Sequence, residues 1–344
     1  MKAVRYAAPG DFAVTDVPLP PVGPQDVRIK IHQTGVCGTD LHLHHGTYIG
    51  VYPLTPGHET IGEIDEVGAE VTRFGPGERV TVNPNIYCGE CAYCLAGRLG
   101  LCAKTEGMGV HRPGYFAEYV SADHRQVFSM DGLDPDTAVF AEPTACAMHG
   151  LETLDLRPGG SALVMGAGPT GLLLAQLIAS GGATSVTVAD ILPFKLQTAQ
   201  ALGVDSTVSM STNAGENIDL LRKASPGGDG YDTVVEATGV TAVGNICVPL
   251  TRNGGTVLIY GVTRPDERLS VSPFELFRRE LTIKGSYAEM TSFAAAIAAL
   301  RTGRVRTDGI ITHRYALDEY GKALQALSSD PTAHKVVVVV GEGL

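Results

Sequence analysis

A chain of 344 residues with 37 acidic and 26 basic side chains carries a formal charge of −11. That charge repels phosphate backbones and anionic lipid, so nucleic acid and membrane surfaces are poor partners. At 44% hydrophobic and 18% charged, with 42 glycines, 20 prolines and no tryptophan, the composition is that of a soluble globular protein rich in tight turns and long enough for two domains.

The amino-terminal MKAVRYAAPGDF lacks the apolar core and small-residue cleavage site of an export signal, so a cytoplasmic location is expected. Short extended segments follow at 2–6, 12–16, 26–32, 61–67 and 78–82, separated by Pro/Gly turns such as 20–24. This texture predicts an antiparallel, barrel-like β domain.

Scattered through and just beyond that domain are Cys37, His58 and Glu59 in Gly57-His58-Glu59, and Glu142 in Ala141-Glu142-Pro143. One sulfur, one imidazole and one or two carboxylates form a mixed shell that leaves a position for water or substrate, which a catalytic zinc requires. Each residue also has a plainer reading. A lone cysteine is usually a small buried hydrophobe, Gly-His-Glu occurs by chance, and Glu142 could be a helix-start carboxylate ahead of Pro143.

Between them lies Cys88-x2-Cys91-x2-Cys94-x7-Cys102. Four thiolates so spaced can close a tetrahedral shell around a structural zinc with no vacancy for substrate. An iron-sulfur cluster is the chemical rival, but the last gap is seven residues rather than three and Ala103 stands where the ferredoxin run has proline. Two disulfides are disfavoured in a cytoplasmic chain.

From 161 the texture changes to apolar strands alternating with helical segments, which predicts a doubly wound parallel sheet. The uncharged stretch 161–180 is long enough for a membrane span, yet its glycines and Pro169 fit a strand, tight turn and helix better. Gly166-Ala167-Gly168-Pro169-Thr170-Gly171 sits between that strand and helix, where glycines let a pyrophosphate approach the backbone and rest on the helix N-terminus. Asp190 ends the next strand, nineteen residues past Gly171. A carboxylate there accepts from the adenosine ribose hydroxyls and repels a 2′-phosphate, which favours NAD over NADP. After 281 come a short strand, helices at 292–302 and 317–327, and the valine run 336–340 as a terminal strand.

In this order the signals resemble the medium-chain zinc-dependent dehydrogenases, the group of alcohol, sorbitol, xylitol and threonine dehydrogenases. The resemblance covers almost the whole chain. It is carried by Gly35-Val36-Cys37-Gly38-Thr39-Asp40 followed by His42, Pro56-Gly57-His58-Glu59, the four-cysteine lobe, Glu142-Pro143, the glycine turn and Gly285-Ser286-Tyr287. It implies a GroES-like β-barrel domain formed by 1–146 with 282–344, a Rossmann NAD-binding domain at 147–281, and an active site in the cleft between them. It implies two zincs per chain, NAD, and a homodimer or homotetramer.

By resemblance, Cys37, His58, Glu142 and alternately Glu59 match the catalytic zinc positions of the polyol branch, where the alcohol branch has cysteine in place of Glu142. Thr39 matches the hydroxyl that takes the substrate proton, and His42 the imidazole that passes it on. Lys195 and Thr238 join the expected cofactor contacts. Cys146 and Cys247 match no ligand position and are expected to pack, and His44 and His45 to be solvated or capping. Sorbitol enzymes carry an arginine and an aromatic residue where this chain has Ala288-Glu289, which points to another polyol.

The expected reaction is therefore zinc-assisted oxidation of a small secondary alcohol, a polyol or sugar alcohol, with hydride passing to NAD. L-threonine or vicinal-diol oxidation is the alternative within the family. A non-catalytic zinc and dinucleotide binder is the alternative from another class, and would hold about one zinc rather than two.

Overall fold

The computed structural model describes residues 1–47, 49–289 and 291–341. It divides into two compact units, one formed by 1–145, 289–302 and the chain from 310 on, the other by 146–288 with 303–309.

The first unit is built on β1 (Lys2–Ala8), β2 (Asp11–Asp16), β3 (Asp26–Val36), β4 (Glu59–Val67), β5 (Arg79–Val82), β6 (Asn85–Ile86), β7 (Glu106–Gly107), β8 (Tyr119–Asp123) and β9 (Val127–Ser129). Along β3, Val27, Ile29 and Ile31 are buried while Arg28 and Lys30 alternate with them, the period of a strand with one wet face. Arg28 meets Asp65 and Glu66 of β4 on that wet face, each at 2.6 Å. The inward side chains pack with Ile64, Val80, Val82 and Tyr115 into one core.

The second unit holds β10 (Ser161–Met165), β11 (Ser185–Asp190), β12 (Ser206–Ser209), β13 (Tyr231–Glu236), β14 (Thr251–Ile259) and β15 (Thr282–Gly285), with helices in every connection. The sheet order is β12-β11-β10-β13-β14-β15 and every pairing is parallel. This is the doubly wound order, which reverses between β10 and β13 and leaves a crevice at the carboxyl ends of the strands. All five residues of β10 are buried, as a central parallel strand covered on both faces demands. The apolar stretch 161–180 is thus β10, the glycine turn and the helix Pro169–Ser180. Among the described residues no helix is long and apolar enough to cross a membrane.

The chain then returns to the first unit as β16 (Ile311–Ala316) and β17 (Lys335–Val339), and β17 pairs antiparallel with β3. The point of return corrects the boundary read from sequence. β15 hydrogen-bonds to β14 with Thr256 opposite Thr282 and Ile259 opposite Gly285, so it is the sixth strand of the parallel sheet. Residues 282–288 accordingly belong to the second unit, because this short edge strand is held by its backbone ladder to β14, while its mixed and largely exposed side chains do not select a sheet.

Candidate active site and metal centres

Three strand ends bring the mixed donor set together. β3 runs out at Val36 into Cys37, β4 begins at Glu59 directly after His58, and β17 begins at Lys335. Gly35 lies opposite Glu59 in the β3–β4 ladder, and Val36 opposite Val336 in the β17–β3 ladder. Ligand atoms of Cys37, His58 and Glu59 consequently lie within 4.8 Å of one another. Gly35 is a spatial requirement: a Cβ there would stand 2.0 Å from Oε2 of Glu59 and 2.9 Å from the Lys335 chain.

Cys37 is also the N-cap of the helix Gly38–His44, and its N–H donates to Oδ2 of Asp40 at 2.9 Å. Thr39 sits in the first turn, 3.9 Å from the Cys37 sulfur. His42 follows one turn later on the same helix face, with Nδ1 3.0 Å from the Thr47 hydroxyl. Both Thr39 and His42 are half-buried, so a proton passed to His42 has a path to solvent.

The electrostatics of this patch call for a cation. Asp40, His58 and Glu59 are all buried, and Glu59 is ion-paired with the buried Lys335. Burial works against a charge on His58, but Asp40, Cys37 and Glu142 outweigh it and hold the imidazole well above its ordinary value. Burial likewise opposes the charge on Lys335, and Glu59, Cys37 and Glu142 raise it. Among the described residues Nδ1 of His58 has no hydrogen-bond partner, and Oδ1 of Asp40 stands 3.9 Å from it, equally without one. A thiol, an imidazole and a carboxylate gathered this closely fit a divalent ion bound by sulfur, nitrogen and oxygen. Asp40 is placed to orient the imidazole, as a carboxylate behind a ligating histidine does.

Glu142 lies in the first turn of the helix Ala141–Leu154 and is buried. It falls outside the three-residue donor group, but its charge acts on His58, Lys335 and Glu289. Glu289 is completely buried, and burial followed by the charge of Glu142 raises its carboxyl to about 8.

Asp40, Lys335 and Glu289 are the members of this patch that the sequence reading left without a role. Asp40 stood inside the quoted Gly35–Asp40 motif, and Lys335 is a charge at the head of an all-valine strand, a contradiction that could have drawn attention to it. His44 departs from expectation. Its ring packs between Tyr6 and Phe12, with Nδ1 3.0 Å from the Tyr6 hydroxyl, because the amphipathic helix turns this position towards the aromatic cluster. His45 is exposed at the helix C-cap. Cys247 is buried and Cys146 half-buried.

The four-cysteine lobe gathers its sulfurs just as tightly. Sγ separations are 3.5 Å for Cys88–Cys102, 3.6 Å for Cys91–Cys94, and 4.0 Å for both Cys88–Cys94 and Cys91–Cys102. Zinc–sulfur bonds of ~2.3 Å give a tetrahedron with edges of ~3.8 Å. A disulfide would bring two sulfurs to ~2.05 Å, and all seven cysteines are free. Backbone N–H groups of Cys88, Cys91 and Lys104 donate to these sulfurs at 3.3 to 3.4 Å, an arrangement suited to thiolates. Hydrogen bonds from the backbone of Cys94 and Ala103 lower Cys91 to about 6.

In the second unit Gly166 has φ of 108°, Gly168 is the N-cap and Pro169 the first residue of the helix Pro169–Ser180. A Cβ on Gly171 would stand 1.9 Å from the Gly166 carbonyl oxygen, so the turn closes only with glycine. Thr170 lies half-buried in the first helical turn, where N–H groups remain available to an anion. Asp190 at the end of β11 accepts from the N–H of Ala167 at 2.7 Å and of Leu192 at 2.9 Å. It thereby braces the turn and keeps lone pairs for two hydroxyls. Lys195 lies just inside the next helix, against Phe194. The Thr238 N–H donates to Glu236 at 2.7 Å after β13, on the other side of the strand reversal.

Comparison with known proteins meets this geometry. Residues 23–132 match the family model of the alcohol dehydrogenase GroES-like domain, and 169–302 that of the zinc-binding dehydrogenases. The chain is 38% identical to D-arabinitol dehydrogenase 1 of Uromyces fabae, over 96% of this chain and 94% of that one. It is 37% identical to D-altritol 5-dehydrogenase of Agrobacterium fabrum and 35% identical to L-threonine 3-dehydrogenase of Chelativorans, each over 98% of both chains. A zinc-binding dehydrogenase from Sinorhizobium meliloti, solved with NADP bound, superposes with a TM-score of 0.92 at 35% identity over 98% of both chains.

Proposed function

The chain belongs to the medium-chain zinc-dependent alcohol and polyol dehydrogenases, and from that membership we propose that it oxidises a secondary alcohol, a polyol or sugar alcohol, to the ketone with NAD as acceptor. The observation that carries the reading is the gathering of half-buried Cys37 with buried His58 and Glu59 at the foot of the helix that bears Thr39 and His42.

In this reading Cys37 and His58 hold the catalytic zinc with Glu59 or Glu142 as the carboxylate, and Cys88, Cys91, Cys94 and Cys102 hold the structural zinc. Zinc supplies a Lewis acid that lowers the pKa of the substrate hydroxyl, and NAD supplies the hydride acceptor. The Thr39 hydroxyl would accept the released proton while giving up its own towards His42, which would pass a proton to solvent. Asp40 holds the His58 ring, and Lys335 restrains Glu59 through their ion pair. Gly166, Gly168, Pro169, Thr170 and Gly171 receive the pyrophosphate, with Lys195 and Thr238 as flanking contacts. Asp190 takes the ribose hydroxyls and disfavours a 2′-phosphate.

The test is a panel of D-arabinitol, D-altritol, xylitol, sorbitol, 2,3-butanediol and L-threonine with NAD and with NADP, with metal content measured on the same sample. A sugar alcohol should lead with NAD, at about two zincs per chain. L-threonine in first place would establish the alternative that the threonine dehydrogenase relative suggests, and one zinc with no turnover would establish a non-catalytic binder.

The proposal extends to assembly and location. β15 is an edge strand whose Ile283 is exposed, and Phe274 and Phe277 of the preceding helix Pro273–Arg279 are 64% and 81% exposed. An unpaired edge beside exposed aromatics favours pairing with a second copy, as a homodimer or homotetramer. A monomer mass by light scattering would overturn this. Seven free cysteines suit the cytoplasm, and fractionation of cells should recover the protein there.

A further inference from the structure

Glu289 has an environment that the reaction as described does not use. Its side chain is 0% exposed. The Asn85 side-chain amide donates to its main-chain oxygen at 2.9 Å and approaches Oε1 at 3.5 Å, and Asn83 and the Ser292 backbone also bond to the carboxyl. Among the described residues Oε2 has no hydrogen-bond partner. The preceding residue, Ala288, has φ of 45°, a left-handed conformation that is strained for a residue with a Cβ. A buried carboxyl oxygen without a partner is destabilising as well.

A strained backbone that presents an unsatisfied polar atom is an arrangement that folds retain where a ligand completes it. The location agrees. Glu142 acts electrostatically on both Glu289 and His58, so this carboxyl stands within the field of the catalytic patch. The neighbouring Asn83 and Asn85 make the surroundings polar, a lining for hydroxyl groups rather than for a hydrocarbon chain.

We propose that Glu289 is a specificity-determining residue whose free carboxyl oxygen bonds a hydroxyl on the carbon next to the one oxidised, selecting vicinal diols and polyols over mono-alcohols. This rests on the dehydrogenase reading above. A site built to bond a hydroxyl discriminates strongly against a substrate that lacks it, because the buried partner is then left unpaired.

The experiment compares kcat/KM for 2,3-butanediol and 2-butanol in the zinc-loaded wild type and in Glu289→Ala and Glu289→Gln. The wild type should favour the diol, and Glu289→Ala should lower the diol-to-alcohol ratio by about 10- to 100-fold. Glu289→Gln keeps an acceptor and should restore most of the ratio. Calorimetric titration of 2,3-butanediol into the NADH complex should show about tenfold weaker binding in Glu289→Ala. A ratio unchanged in Glu289→Ala, with both substrates falling together, would show a structural role and overturn the proposal, as would a wild type without preference for the diol. Inactivity of the wild type on both compounds and on every sugar alcohol would remove the dehydrogenase reading, and this inference with it.

Discussion

Cys37→Ala should lower turnover by at least ~10³-fold, since a Lewis acid that activates the hydroxyl is lost with its ligand, and should reduce the zinc content from about two ions per chain to about one. The substitution deletes the only sulfur among three donors that lie within 4.8 Å of one another. What remains, His58 with a carboxylate already paired to Lys335, is a weak site. The fold should survive, because the N-cap bond to Asp40 comes from the backbone N–H of Cys37 and the side chain is only half-buried. Circular dichroism should therefore match the wild type while metal analysis and kcat do not. A Cys37→Ala enzyme that keeps full activity with one zinc would falsify the assignment.

Cys102→Ala should produce the opposite pattern: one zinc lost, and stability rather than chemistry affected first. The lobe has little apolar interior of its own. Tyr87, Tyr93, Leu95 and Leu101 are exposed, while the buried residues include Cys94 and Cys102 themselves. Its order then depends on the metal, whose binding free energy of ~10–16 kcal/mol in small zinc modules is folding free energy. Losing it should lower Tm by roughly 10 °C, the shift expected for a few kcal/mol in a chain of this size. It should also open the peptide bonds after Arg98 and Lys104 to brief trypsin treatment. Cys37→Ala should resist the same treatment. If Cys102→Ala keeps both zincs and the wild-type digestion pattern, the four thiols do not form a metal site.

These two centres were not equally legible. The lobe could be read from spacing alone, because all four ligands fall within fifteen residues and local turns suffice to bring them together. The same holds for the glycine turn and Asp190, which belong to one strand-turn-helix-strand unit. The catalytic patch is different in kind. Cys37, Glu59 and Lys335 converge through the β3–β4 and β17–β3 ladders, and the second ladder joins residues three hundred positions apart. No periodicity announces such a pairing, so family resemblance supplied Cys37, His58 and Glu142, while Lys335 and Asp40 emerged only when their partners did.

The boundary near 282 and the packing of His44 show the same limit on a smaller scale. A short strand and an amphipathic helix are written locally, but the sheet that accepts the one and the cluster that receives the other are chosen by long-range contacts. By itself the sequence determined the two kinds of architecture, the four-sulfur lobe and the coenzyme turn, since each depends on residues within one or two turns or strands. Only the tertiary structure brought Glu59 within reach of Cys37 and His58, paired it with Lys335, and buried Glu289 with an oxygen to spare. Those are properties of burial and of charges from distant segments acting on one another, and burial is not a property of any residue until the chain has closed around it.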